Sequence, residues 1–220
     1  MTAPAARGDP ARRSRLSAEQ RRASIIAAAT EVFSEVGYDH GTMAEVARRV
    51  GVSEPVVFQN FGTKAAVFNA VIEHATERMT TVMTERAAAN RSVGAWLTEL
   101  LAPHDPSHMH AGHTHHVLFA DAMSHTAEPL VSEAIRQAHR TVAQTLTDLL
   151  ARGQAEGSVR QDLDPATGAW WLLCFLASRG FRAATMPEHS RLEAQLSALT
   201  LQVLTTSQPD GTGHPGTPGT

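Results

Sequence analysis

Thr42-Met43-Ala44-Glu45-Val46-Ala47-Arg48-Arg49-Val50-Gly51-Val52-Ser53-Glu54-Pro55-Val56-Val57-Phe58-Gln59-Asn60 is the stretch, residues 42–60, whose reading decides the fold. Thr42 and Glu45 have capping-box spacing, so a helix is predicted to start at Thr42. It would bury Val46 and Val50 and stop at Gly51, because glycine accepts the left-handed geometry of a helix C-terminus. Ser53 is placed to cap a second short helix, with Pro55 tolerated in its first turn. Working outward, Ser17-Ala18-Glu19-Gln20 is another capping box. The helix it opens sets Ile25, Ala29, Val32 (or Phe33) and Val36 on one face and ends at Gly37. Gly62 breaks the chain after Phe61, and Thr63 is placed to cap a long helix from Lys64 to about Ala89. Three short helices with a tight glycine turn between the second and third make a helix-turn-helix.

The rest of the 220 residues fits an all-α chain. Hydrophobic residues make up 42% and aromatics 5%, so a core built mainly from Ala, Leu and Val is expected. A single cysteine, Cys174, excludes an internal disulfide framework or a cysteine-rich zinc ribbon. The strongest apolar run, Ala169 to Ala177, is well short of the roughly 20 residues needed to cross a bilayer. The N-terminal arginines have no apolar segment behind them, unlike a signal peptide. A cytoplasmic protein without a membrane partner is expected. The net charge of −3 argues against nonspecific coating of DNA. Residues 1–64 nevertheless carry nine basic and seven acidic side chains, a surplus of two, so the remainder stands at −5. A basic head on an acidic body suits a first domain that meets a polyanion. The division read from the sequence is a disordered basic arm (1–16), a helix-turn-helix domain (17–64), a helical body (65–206) and a disordered Pro/Gly-rich tail (207–220).

Residues 21–68 resemble the TetR family of transcriptional regulators. The resemblance is carried by Ile26, Ala29 and Phe33, by Gly37-Tyr38, by Thr42, by Gly51-Val52-Ser53, and by Phe61 and Lys64 in that order and spacing. It implies a homodimer that binds a double-stranded DNA operator through the head, with an effector-binding C-terminal domain. The helix from Ser53 to Asn60 would enter the major groove, where Pro55, Val56, Gln59 and Asn60 would face bases or sugar-phosphate. Gln and Asn can pair bidentately with adenine, and Val56 suits a thymine methyl. Thr42 would donate to a phosphate beside a positive helix N-terminus, and Lys64 would grip another. Ala44 sits where some members carry a base-reading arginine, a task alanine cannot perform. Phe58 replaces the family's usual tyrosine, which keeps the ring and loses a hydroxyl bond to phosphate. Arg48 and Arg49 read equally as phosphate contacts or as a solvated helix face.

Further along, Val131, Ile135, Ala138, Val142, Leu146 and Leu149 keep helical spacing from about Pro129 to Arg152, with Gly153 as the stop. Asp164-Pro165 is an N-cap and first-turn pair for the next helix. There Trp170, Leu173, Ala177 and Phe181 line one face, while Trp171 and Phe175 line another. A helix apolar on two faces is covered from both sides, and a second subunit supplies the extra cover. Leu192, Leu196, Leu199 and Val203 form the stripe of the last helix. The expectation is a four-helix dimer interface built from the last two helices and their symmetry mates. Trp96, Leu100, Phe119, Met123 and Trp171 are the candidate lining of an effector pocket for a small hydrophobic or aromatic molecule.

Six of the 12 histidines, His104, His108, His110, His113, His115 and His116, crowd one stretch with Pro103, Pro106 and Gly112. Imidazole is a common metal ligand, so a zinc, nickel or copper sensor is one reading and an incidental exposed loop the other. No cofactor is implied. No nucleophile elbow, phosphate loop or metalloprotease motif is present, so an enzyme is not expected. The sequence therefore points to a homodimeric repressor released from a palindromic operator by a small ligand. The alternatives are a metal-responsive regulator using the His104–His116 loop, or a helical protein that keeps only the shape of the head.

Overall fold

The computed structural model describes residues 17–102, 119, 128–186 and 188–205, and the chain divides into two compact units, Met1–Val71 and Ile72–Thr220. Every regular element among the described residues is a helix, with a lone antiparallel bridge between Val159 and Thr205. The first turns of the long fourth helix belong to the head, so the division falls later than the 64/65 boundary read from the sequence.

In the first unit, α1 spans Ala18–His40. Its capping box is formed in full: Ser17 Oγ accepts from the Gln20 amide at 3.0 Å, and Gln20 Oε1 accepts from the Ser17 amide at 2.9 Å. Gly37 does not stop the helix. It takes a positive φ of 75°, kinks the chain, and one more turn follows to His40. That turn seats Tyr38 against Phe68 at 4.9 Å between ring centroids, and Phe68 meets Phe33 edge-on at 5.0 Å. Ile25, Ala29, Val32 and Phe33 are buried, whereas Val36 is exposed, because the inward stripe shifts by one position near the kink.

Helix α2 (Met43–Val50) buries Met43, Val46 and Ala47. Only half of its predicted capping box forms. Thr42 Oγ1 accepts from the Glu45 amide at 3.2 Å, but the Glu45 carboxylate binds Arg48 and Arg49 instead of returning to the cap. Gly51 is left-handed at φ 77°, and the amides of Gly51 and Val52 both donate to the Ala47 carbonyl. This closes the turn into α3 (Glu54–Phe61). Ser53 has N-cap backbone angles but its hydroxyl makes no capping bond, contrary to the sequence expectation. Thr63 caps as expected, accepting from the Ala66 amide at 3.1 Å, and opens α4 (Lys64–Ala89).

The second unit contains the rest of α4, then α5 (Val93–Leu101), α6 (Pro129–Ala155), α7 (Pro165–Ala177), α8 (Arg179–Thr185) and α9 (His189–Leu204). Its core joins Trp96 and Leu97 of α5, Leu146 and Leu150 of α6, Leu172 of α7 and Leu204 of α9 around Val93 and Val159. Asp164 caps α7 as read from the sequence, accepting from the Thr167 amide at 2.8 Å. Two expectations are corrected. Gly153 is not a stop, since α6 continues to Ala155, and the residue lies buried against Val159. The apolar helix after Pro165 ends at Ala177, so Phe181 belongs to a separate short helix and not to the face of Trp170 and Leu173. The break has a visible cause. The Ser178 hydroxyl donates to the Cys174 and Phe175 carbonyls, and Arg182 Nη1 also donates to the Phe175 carbonyl at 2.7 Å. At the Phe175 carbonyl these side chains stand in for a backbone donor, while the Cys174 carbonyl also keeps the Ser178 amide.

Candidate nucleic-acid interface

The eight residues of α3 fully bury one side chain, Val57. Val56, Asn60 and Phe61 are half-buried, while Ser53, Glu54, Pro55, Phe58 and Gln59 are exposed. The Phe58 ring is 41% exposed, large for an apolar side chain on a helix that has a core to bury into. Thr42 and Ala44 are exposed at the start of α2. The Thr42 hydroxyl accepts one bond in its cap role and keeps its proton to donate outward.

Two of the sequence-predicted contacts have internal duties. Asn60 turns its amide back along its own helix, with Nδ2 donating to the Val56 carbonyl at 2.6 Å. Gln59 is therefore the amide presented on the outer face. Lys64 Nζ donates to the Asp39 carbonyl at 3.0 Å and lies 4.7 Å from the Tyr38 ring centre. Its ammonium has three protons, so the Asp39 bond leaves donors for a phosphate.

Arg48 is an exposed side chain on a solvated helix face, whereas Arg49 is largely enclosed and fits neither of its two expected readings alone. Arg49 reaches Glu35 at 2.5 Å, Glu45 at 3.1 Å and Glu31 at 3.5 Å, which ties α2 to α1. Arg48 pairs with Glu45 at 2.7 Å. The hydrogen bonds from Arg48 and then Arg49 hold the Glu45 carboxyl down at about 2. The Arg49 bond likewise holds Glu35 below the usual carboxylate range.

Trp96 is buried in the core with Leu100 packed beside it, Trp171 is 53% exposed, Phe119 lies 5.9 Å from the His139 ring, and Met123 lies outside the described residues. A shallow groove of about 330 Å³ is lined by Thr80, Thr81, Thr84, Glu85 and Thr145. The stretch from His104 to His116 also lies outside the described residues.

The predicted interface residues are mostly open. Trp170 is 47% exposed, Phe181 70% and Leu199 57%; Ala177 and Val203 are also exposed, and Leu173, Leu192 and Leu196 are half-buried. The inward face of α9 carries Glu193, Ser197, Thr200 and Leu204. Sequence reading missed this polar inner stripe, although its 4-3-4 spacing is a helical signal in itself. Its anchor is Glu193, whose two oxygens accept from Arg182 Nε and Nη2, both at 2.7 Å.

Against known proteins, the profile of the bacterial regulatory proteins, tetR family, matches residues 25–71, the segment that builds α1 to the start of α4. The N-terminal helix-turn-helix segment is that of the TetR family. Among curated TetR-type relatives, the HTH-type transcriptional activator FasR of Mycolicibacterium smegmatis is 26% identical over 145 residues, covering 66% of this chain and 65% of that one. An HTH-type transcriptional repressor of Mycobacterium tuberculosis is 34% identical over 83 residues, covering 38% and 42%. The alignments thus span less than two thirds of either relative. Among solved structures, a TetR-family regulator from Rhodococcus sp. superposes with a TM-score of 0.69 at 15% identity, covering 84% of this chain and 98% of that one. The shared TetR fold therefore extends through the helical body, where sequence likeness has faded.

Proposed function

We propose that the chain is a homodimeric, sequence-specific DNA-binding transcriptional regulator that reads a palindromic operator. The observation that carries this reading is the outer face of α3. A two-turn helix, set by a left-handed Gly51, holds Val57 inward and offers Pro55, Phe58 and Gln59 outward. Gln59 suits the adenine edge, Val56 a thymine methyl, and Thr42 with Lys64 the flanking phosphates. The DNA-binding set is Thr42, Ala44, Ser53, Pro55, Val56, Phe58, Gln59, Asn60 and Lys64, with Asn60 acting mainly as a brace inside α3.

The dimer reading draws on the exposed indoles of α7 and the outward Leu199 and Val203 of α9. Apolar residues at this density on neighbouring helices suit a subunit interface. Two recognition helices would then sit roughly 34–36 Å apart, one turn of DNA. A small hydrophobic effector bound by the second unit would favour a state with the wrong spacing and release the operator, which makes repression the expected sign. The curated relatives include one named an activator and one named a repressor, and a reporter assay with and without this protein reads the sign directly.

Selection of genomic fragments on the purified protein tests the proposal. Recovery of an inverted repeat, with sedimentation showing a dimer that Trp170→Glu converts to a monomer, is the expected result. A monomer that enriches no sequence would overturn it.

A further inference from the structure

Helix α3 is too short to hold its own conformation in water, since isolated helices below about 12 residues are marginal. Its N-terminal side chain, Ser53, supplies no cap, and its grip on the core is one fully buried valine. Its C-terminal end has a different support. Arg22, from the first turns of α1, donates from Nη1 to the Asn60 carbonyl at 2.9 Å. The same guanidinium lies over the Phe61 ring, 4.0 Å from its centroid. The Asn60 carbonyl is one of the terminal acceptors that a helix leaves without an internal partner. A cation there also meets the negative end of the helix dipole.

We infer that Arg22 is a positioning residue for DNA recognition: stacked on Phe61 and bonded to the Asn60 carbonyl, it fixes the C-terminal end of α3 and hence the aim of Gln59. The inference rests on the DNA-binding reading above and deepens it. The residue whose carbonyl Arg22 holds follows Gln59 directly, so a shift there moves the side chain proposed to read a base. Arginine is specified because its planar fork can lie flat on an aromatic ring and donate in its own plane at once. The tetrahedral ammonium of lysine does one or the other. The loss of one such tie lowers the fraction of time α3 is correctly aimed. Apparent affinity falls by that fraction, roughly tenfold per subunit for a charged hydrogen bond with a stacked cation.

The test uses full-length protein, Arg22→Ala and Arg22→Lys, the selected operator duplex and a scrambled duplex. Backbone amide exchange across residues 58–62 is followed without DNA. Both variants are expected to weaken operator binding about tenfold or more, to leave scrambled-duplex binding within twofold, and to keep the salt dependence unchanged. Exchange at the end of α3 should speed up in both. If Arg22 contacts phosphate directly, Arg22→Lys binds like the parent and Arg22→Ala loses about one unit of salt slope on both duplexes; that result overturns the inference. Unchanged exchange in Arg22→Ala overturns it equally. Should the parent bind no duplex, the DNA reading fails on its own, and the exchange data still decide whether Arg22 holds α3.

Discussion

Gly153→Ala sets two well-measured effects against each other. In an open helix the change stabilises by about 1 kcal/mol, because glycine gives up more conformational freedom on folding. Gly153 is not in an open helix. A Cβ built there lies 2.4 Å from Val159 Cγ2, 3.1 Å from Val159 Cβ and 3.0 Å from Val93 Cβ, where carbon atoms prefer about 3.5–4.0 Å. Val159 cannot step back. It is fully buried and β-branched, its amide donates to the Gly153 carbonyl at 3.0 Å, and its backbone bridges to Thr205. Overpacking costs about 1–3 kcal/mol, and a 2.4 Å approach to a side chain that cannot move puts this site in the upper half, about 2–3 kcal/mol, so after the propensity gain a net loss of about 1–2 kcal/mol is expected. At about 2–4 °C per kcal/mol for a chain of this size, Tm should fall by roughly 2–8 °C in a far-ultraviolet circular dichroism melt. Val159→Ala removes the nearest carbon. In that background Gly153→Ala should cost clearly less, a coupling of order 1 kcal/mol. A Tm equal to or above that of the parent for Gly153→Ala alone would refute the reasoning.

Three further outcomes are expected. Phe58→Tyr should tighten operator binding by up to about 1 kcal/mol per subunit through a restored phosphate bond; a titration showing equal or weaker affinity would count against the placement of α3. The Glu45 carboxyl should titrate near 2; because this lies below the unfolded value of about 4.3, the stabilisation from its pairs with Arg48 and Arg49 within α2 is complete above that value and is lost as pH falls through about 2. A carbon-detected NMR midpoint in the ordinary carboxylate range would contradict the ion-pair geometry. Arg182→Met should destabilise by up to about 3–5 kcal/mol, because it strips the buried Glu193 carboxylate of its two 2.7 Å hydrogen bonds and leaves Arg179, at 3.8 Å, as a remaining cation. The double variant Arg182→Met with Glu193→Leu should recover much of that loss in a urea titration, and no recovery would show that the pair does not act as a unit.

Several helix starts in both units were legible because capping chemistry is local. Ser17 with Gln20, Thr63, and Asp164 before Pro165 each satisfy orphan amides within three residues, so their side chains declare themselves without tertiary information. The failures lie where a distant partner competes. Glu45 abandons the cap of α2 because two arginines lie within reach. Gly153 reads as a stop, but its missing side chain serves close packing against Val159. The break after Ala177 precedes Gly180 by three residues, so no proline or glycine marks the junction itself. It depends on Ser178 and Arg182 reaching back to carbonyls of the preceding turn. On the outer face of α3, the residue types were readable from order and spacing. The inward turn of Asn60 was not, because an amide that bonds its own helix looks the same in sequence as one that points at a base.

The central claim is that α3 reads base edges as one of a pair. The most direct measurement is the affinity of the parent and of Gln59→Ala for the selected inverted repeat and for single-base variants of it, over a range of salt. The account predicts steep salt dependence in both proteins. It also predicts a loss of about 1–3 kcal/mol for Gln59→Ala on the repeat, and discrimination that collapses at one symmetric base pair only. Equal affinities for every duplex, or a Gln59→Ala protein that discriminates as the parent does, would contradict it.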